Sequence, residues 1–220
     1  MMIPETESLF KQSPFDSEFE FNKTWHIYKW RRRNIPSVSD ILKALNLSGN
    51  YAFVTDEDIW RGQQVHKALE LHHTGSLNED VLDVRIRPYV DAWRVFAEET
   101  GVIPLGWEKP LLDKFWGFAG CPDTWGIVNG EITVIDYKTG KAHWSEGLKL
   151  AAYASLLCSN RSECCIPDSY DALKIKRIAI ELTATGRYNV KPFGDDDMAA
   201  WRHALILYVH KKNKERGSHV

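Results

Sequence analysis

Val128-Asn129-Gly130-Glu131 constrains this chain more than any other four residues. Asn-Gly is the preferred centre of a two-residue type I′ hairpin turn, because both central positions need positive φ. The turn sets the register of the strands it joins. Val128 faces Glu131, and each further pair keeps the same sum of residue numbers. Asp123 and Asp136 satisfy that sum, so they fall opposite each other. Counting outward from a hydrogen-bonded first pair, they occupy a non-hydrogen-bonded pair, where side chains approach most closely, with Cβ atoms about 5 Å apart. Two carboxylates at that separation repel by roughly 3 kcal/mol at an effective dielectric near ~20. Either one is protonated or a cation lies between them, and a hard divalent ion with oxygen ligands is the simplest cation. Lys138 lies two residues beyond Asp136 and shares its face of the strand. An ammonium there can orient a metal-bound water or take its proton, and can offset charge on a phosphate. The apolar run Val134-Ile135 marks the strand as buried, which makes a surface Asp–Lys pair the poorer explanation.

Around this hairpin the hydrophobic period predicts further elements. Residues 35–45 read as a helix capped by Ser37 or Ser39, with Ile41, Leu42 and Leu45 at helical spacing. Residues 56–73 read as a helix with Val65, Leu69 and His72 on one stripe and Gly75 as its stop. Residues 80–99 read as another, with Tyr89, Trp93 and Phe96 inward and Pro88 marking an irregular start or a kink. Strands are expected near 103–112, 114–128 and 131–138, a helix over 144–158, and a strand pair at 173–184 and 188–193. A last helix over 196–212 follows the acidic run Asp195 to Asp197. The order implies a single α/β (α+β) domain over residues 35–220 with a central mixed sheet flanked by helices. Residues 1–34 read as an N-terminal arm, loosely ordered over 1–24.

Composition narrows the class. The chain is 220 residues long, 44% hydrophobic and 26% charged, as expected of a globular protein with a full core. Its N-terminus lacks a basic-then-apolar secretion signal, and no apolar run reaches the ~18 to 20 residues of a membrane span. A cytoplasmic location is therefore expected. Cys121, Cys158, Cys164 and Cys165 form no CxxC pair, so reduced thiols are expected rather than a disulfide framework or zinc site. A net charge of −2 does not announce a nucleic-acid binder, although two local basic patches stand out. They are Lys29, Arg31, Arg32 and Arg33, and Lys211, Lys212, Lys214 and Arg216; each also reads as a solvated face or tail.

Cys121-Pro122-Asp123, followed by Asp136-Tyr137-Lys138, resembles the motif of the PD-(D/E)XK nuclease superfamily. Gly62-Gln63-Gln64-Val65-His66 resembles the helical G-x-x-V-H element of its RecB-type, phage exonuclease-like branch. Lys149-Leu150-Ala151-Ala152-Tyr153 resembles that branch's Q-x-x-x-Y helix, with Lys149 where glutamine is usual. The resemblance covers roughly residues 35–193 and implies a restriction-endonuclease-like core that binds Mg²⁺ or Mn²⁺. It makes His66, Asp123, Asp136 and the backbone carbonyl of Tyr137 metal ligands and Lys138 the catalytic lysine. Tyr153 is implied to contact DNA or support the site. The role of Lys149 is left open by the missing glutamine; as a point charge it could still meet a phosphate. No iron–sulfur cluster is expected, because the cysteine spacing differs from that of cluster-bearing relatives.

The residues suggest further members of the site. Glu108, ahead of the hairpin, is a candidate further ligand or an ordinary strand-end charge. Arg61 and Gln63 are candidate DNA contacts beside His66. Trp60, Trp116, Trp125 and Trp144 flank the motifs and read either as base-stacking residues or as core. His66, Glu70 and His73 share a helix face and offer a weaker alternative, a separate zinc site. Tyr137 alternates to the opposite face and is expected in the core.

The function expected is metal-dependent hydrolysis of DNA to 5′-phosphate products, by an exonuclease acting on a single- or double-stranded end in recombination, repair or phage DNA processing. The alternatives are an endonuclease of the same superfamily and a non-catalytic DNA-binding module. A homo-oligomeric ring or a recombination partner protein would suit a processive exonuclease, and no residue pattern shows either.

Overall fold

The computed structural model describes residues 18–49 and 54–217. Its organising strand is β8 (Glu131–Lys138), whose six inner residues are buried. The strand pairs antiparallel with β7 (Thr124–Val128) through the Asn129-Gly130 turn, where φ is 50° and 82°. Thr124 faces Ile135 and Val128 faces Glu131, the register expected from the turn. On its other side β8 runs parallel to β9 (Lys176–Leu182). A parallel pair needs a crossover, supplied by α4 (Glu146–Ser159) and the short α5 (Arg161–Cys164). β4 (Ile103–Trp107) and β10 (Tyr188–Phe193) close the edges antiparallel, in the order β10-β9-β8-β7-β4.

Strand alternation divides the core between two faces. Ile132 and Val134, with Trp125 of β7, pack under α1 (Val38–Ala44), α4 and α6 (Asp195–Gly217). Ile135 and Tyr137 meet α2 (Asp56–His73) and α3 (Arg87–Thr100) on the other face. The result is a mixed α/β architecture with a central sheet flanked by helices. Among the described residues no helix is long and apolar enough to cross a membrane.

Both early helices start at reciprocal capping boxes. Ser37 and Asp40 open α1, and Thr55 and Asp58 open α2, each pair satisfying two backbone N–H groups that the first turn leaves free.

Three expectations need correction. The helix expected over 80–99 begins at Arg87, after a 3-10 turn at Glu79–Val81; Pro88 sits in its first turn, where a missing N–H costs nothing. The segments 103–112 and 114–128 are not two continuous strands. Between them β5 (Leu111–Asp113) and β6 (Phe118–Gly120) form a separate hairpin. Asp113 Oδ1 accepts the Phe115 and Trp116 N–H groups and turns the chain out of the main sheet.

The third correction concerns the arm, of which residues 1–17 lie outside the described residues. β1 (Phe19–Asn22), β2 (Ile27–Trp30) and β3 (Arg33–Ile35) form an antiparallel meander. Its face is built by Phe19 and Phe21 stacked against Tyr28, the closer pair at 4.5 Å. The period-2 aromatics outweigh the charge between them, because cross-strand ring contacts form on one face regardless of what the other carries.

Candidate active site

The carboxyl end of β8 is where the motifs converge. Asp123 immediately precedes β7, and its Oδ2 accepts the Tyr137 N–H at 2.8 Å, extending the hairpin by one more cross-strand contact. Val65, Ala68 and Leu69 anchor one face of α2 in the core, and His66 projects from the edge of that stripe. Its Nδ1 lies 3.6 Å from Asp123 Oδ2 and 3.8 Å from Glu108 Oε1, while Nε2 meets the Tyr137 carbonyl at 3.2 Å.

Glu108 reaches this point through an irregularity. The β4–β7 register shifts between Pro104 and Gly106, and a Cβ at Gly106 would fall 2.1 Å from the Trp125 ring. The bulge lets β4 lie on that ring and re-aims the chain beyond it. Glu108 follows with a φ of 42°, its N–H bonded to the Asp123 carbonyl at 3.1 Å.

Donor atoms of His66, Glu108 and Asp123 lie within 4.8 Å of one another. Two donors on one octahedral ion with bonds of ~2.0–2.1 Å sit ~3 Å apart when adjacent and ~4 Å apart when opposed. The contacts to His66 fall in that range, and two carboxylates with one imidazole suit a hard divalent cation. These residues therefore fit such an ion.

Asp136 is fully buried and directed elsewhere. Lys149 Nζ donates to its Oδ1 at 2.7 Å, and Lys138 Nζ stands 2.6 Å from its Oδ2. Glu146, also buried, faces Lys138 Nζ at 3.0 Å and Lys149 Nζ at 3.9 Å. Of the expected ligands, then, the structure gathers His66 and Asp123 with Glu108, turns Asp136 to two lysines, and sets the Tyr137 carbonyl against the His66 ring.

The charges follow from this layout. The carboxylate of Asp123 drives the His66 pKa up to about 9, against the pull of burial and with help from Glu108. Burial pushes Asp123 up to about 6, opposed by His66. Burial alone would also raise Asp136, but Lys138 and Lys149 outweigh it and hold that carboxyl well below the usual range. Burial would lower Lys138, and Asp136 more than restores it, so Lys138 is an ammonium.

A group raised from 6.5 to about 9 on folding adds stability that is complete below 6.5 and lost as pH rises through about 9. The metal-free protein is therefore expected to melt at progressively lower temperature across that window. The slope should be absent in His66→Gln. Mn²⁺ should flatten it in the parent, because the ion displaces the ring proton. Thermal melts in chelator and in Mn²⁺ check this, and a parent slope that matches the variant's refutes it.

The cleft beside these groups has a volume of about 550 Å³. Gln63, Lys138, Lys149 and Tyr153 line it, as do Lys23 and His26 of the meander. Lys149 Nζ lies 5.5 Å from the centre of the Tyr153 ring. Arg61 is not among its lining residues; it pairs with Asp58 and lies over the Tyr89 ring.

His73, offered for a separate zinc site, is instead neutral packing. Burial lowers its pKa to about 4, and it stacks on Trp107 and meets the Tyr137 hydroxyl at 3.0 Å. Glu70 is tied to Lys23 and Lys67. Tyr137 is core, as its alternation implied, and its hydroxyl donates to Thr124 Oγ1 at 2.7 Å.

The tryptophans divide. Trp125 is core, its indole N–H bonded to the Cys164 carbonyl. Trp60 lies under Arg85, while Trp116 and Trp144 are exposed. The second basic patch lies on α6, where Lys211 caps the Ala44 carbonyl of α1. In the first, Arg31 pairs with Glu18.

Sequence reading missed Glu146 and the meander's part of the cleft wall. Glu146 stands one helical turn before Lys149, a spacing that pairs side chains and was open to view. Trp25 is 74% exposed in the turn between Lys23 and His26. No motif pointed to that turn.

No family profile and no curated protein matches the chain. Among solved structures, a protein from Eubacterium rectale described as a candidate exonuclease aligns at a TM-score of 0.45 and 10% identity. The alignment covers 82% of this chain and 74% of that one. The exonuclease LHK-Exo in complex with dAMP aligns at 0.35 and 13% identity, over 82% of this chain and 89% of that one. The alkaline exonuclease LHK-Exo from Laribacter hongkongensis aligns at 0.32 and 13% identity, over 70% and 80%.

Proposed function

We propose that this chain is a metal-dependent deoxyribonuclease, an exonuclease that hydrolyses phosphodiester bonds at a DNA end and leaves 5′-phosphates. The observation that carries the reading is the meeting of His66, Glu108 and Asp123 donors within 4.8 Å, beside a cleft walled by Lys138 and Lys149. Such a site suits recombination, repair or phage DNA processing. Residues 35–220 form its catalytic domain, and the meander of the preceding arm contributes to the cleft.

His66, Glu108 and Asp123 would hold Mg²⁺ or Mn²⁺. When bound, the ion supplies Lewis-acid charge and lowers the pKa of a coordinated water. The His66 contact to the Tyr137 carbonyl fixes which ring nitrogen keeps its proton and leaves the Nδ1 lone pair toward the carboxylates. Lys138, held as an ammonium, donates to the attacking water and offsets charge on the phosphate; it is not placed to take a proton. Attack of the water at phosphorus forms the new P–O bond and breaks the bond to the 3′-oxygen; the water's proton passes to solvent, and the departing 3′-oxygen takes one up from it. Gln63, Tyr153, Lys23 and His26 are placed to meet the DNA strand along the cleft. Trp25 offers an exposed ring for base stacking beside them.

The test is end-labelled single- and double-stranded DNA, with closed circular DNA alongside, incubated with Mg²⁺, Mn²⁺ or chelator. Chelator-sensitive release of nucleotides from ends, with circles intact, is expected. Cut circles would make it an endonuclease, and no metal-dependent cleavage of any substrate would sink the nuclease reading.

A further inference from the structure

We propose, building on the nuclease reading, that Lys149 is a built-in cation occupying the Asp136 side of the centre. The protein then holds one divalent ion, at His66, Glu108 and Asp123.

The site has two halves of different charge. On one side, Asp136, Glu146, Lys138 and Lys149 form an ion-paired quartet, in which Lys149 donates to Asp136 Oδ1 while the buried Asp136 Oδ2 and Glu146 Oε2 accept no hydrogen bond. It contains two carboxylates and two ammoniums, with the lysine nitrogens 2.6 and 2.7 Å from the two Asp136 oxygens and 3.0 and 3.9 Å from Glu146. Its formal charge is zero. Asp136 and Glu146 are both buried, so neither can trade its lysines for water.

On the other side, Glu108 and Asp123 carry two formal negative charges and turn to one imidazole nitrogen. The cross-strand carboxylate pair therefore divides its compensation. The charge of Asp136 is met within the chain, while Glu108 and Asp123 call for an external cation.

Lys149 is the residue that makes the difference. It stands one helical turn beyond Glu146 on α4, which crosses the sheet so that the lysine reaches Asp136 Oδ1. A glutamine at this position could still donate one hydrogen bond to that oxygen. It would leave the quartet one positive charge short, and a carboxylate with an uncompensated charge is what recruits a divalent ion. The ammonium also faces the cleft, so it can offset charge on a bound phosphate without dissociating as a metal does.

The experiment is Mn²⁺ binding to the full chain without DNA, where phosphate oxygens cannot contribute ligands. Equilibrium dialysis and titration calorimetry read stoichiometry and affinity, and electron paramagnetic resonance reads whether two ions are coupled. The parent is expected to bind one Mn²⁺. Asp136→Asn should change that affinity less than threefold, whereas Asp123→Asn and Glu108→Gln should each weaken it at least tenfold. Lys149→Gln, checked for folding by circular dichroism, should take up a second ion with a spin-coupled signal.

Two ions bound by the parent would overturn the proposal. So would a tenfold loss of affinity in Asp136→Asn that circular dichroism shows to be folded, an outcome that does not depend on whether Lys149→Gln folds. A parent that binds no Mn²⁺ overturns the metal-dependent reading itself, which separates the two failures.

Discussion

Asp123→Asn is expected to lower Mg²⁺- or Mn²⁺-dependent DNA cleavage by on the order of 10³-fold, the several kcal/mol that a correctly held Lewis acid contributes. The fold should survive. An asparagine keeps a carbonyl oxygen for the Tyr137 N–H, and the charge interaction lost with His66 is offset by relief of the burial that pushes the Asp123 carboxyl up to about 6. Melting in chelator at pH 7 should therefore stay close to the parent, while stabilisation by added Mn²⁺ should vanish. The loss is then one of ion binding and not of structure. Single-turnover cleavage of an end-labelled oligonucleotide is the measurement, and a rate within tenfold of the parent would falsify the role assigned to Asp123.

Asp136→Ala should act through stability. It strands the Lys138 and Lys149 ammoniums beside a cavity, and removing one partner of a buried charge cluster costs about 3–5 kcal/mol. Truncating Lys149 as well should recover part of that loss. A double-mutant cycle with Lys149→Met thus reads their coupling, and simple additivity of the two changes counts against the pair.

The pH dependence has a definite sign. Asp136 is held well below its ordinary value of 3.8, so its contribution is present above that pH and fades as pH falls beneath it. The stability gap between parent and Asp136→Ala should be constant near neutrality and narrow below about pH 4. Denaturant melts across that range check it.

The opposed aspartates show how far local chemistry reaches. Asn129 and Gly130 require only their own positive φ values, and from these the pairing of Thr124 with Ile135 follows one step from Asp123 and Asp136. Their repulsion called for a proton or a cation. It could not say that lysines supply one at Asp136, because Lys149 meets that carboxylate only after α4 has crossed from β8 to β9. His66 was legible from its motif, since Val65, Ala68 and Leu69 define the buried stripe of α2 and so the direction of its neighbours.

The same division runs through the whole protein. Turn type, helix caps and hydrophobic period act between residues a few positions apart, so the Asn-Gly register, the Ser37 cap and the 188–193 strand can be read along the chain. Glu108 could be read along the chain either as a further ligand or as an ordinary strand-end charge, with nothing local to choose between them. Its place in the site depends on a bulge where Gly106 lies on the Trp125 ring, a contact set by packing between β4 and β7. Glu146 depends on where the crossover helix lands, and the meander's share of the cleft is held by the Lys23–Glu70 pair, 47 residues apart. Such contacts lower the free energy only once the sheet has brought distant segments together, so no local pattern carries their signature.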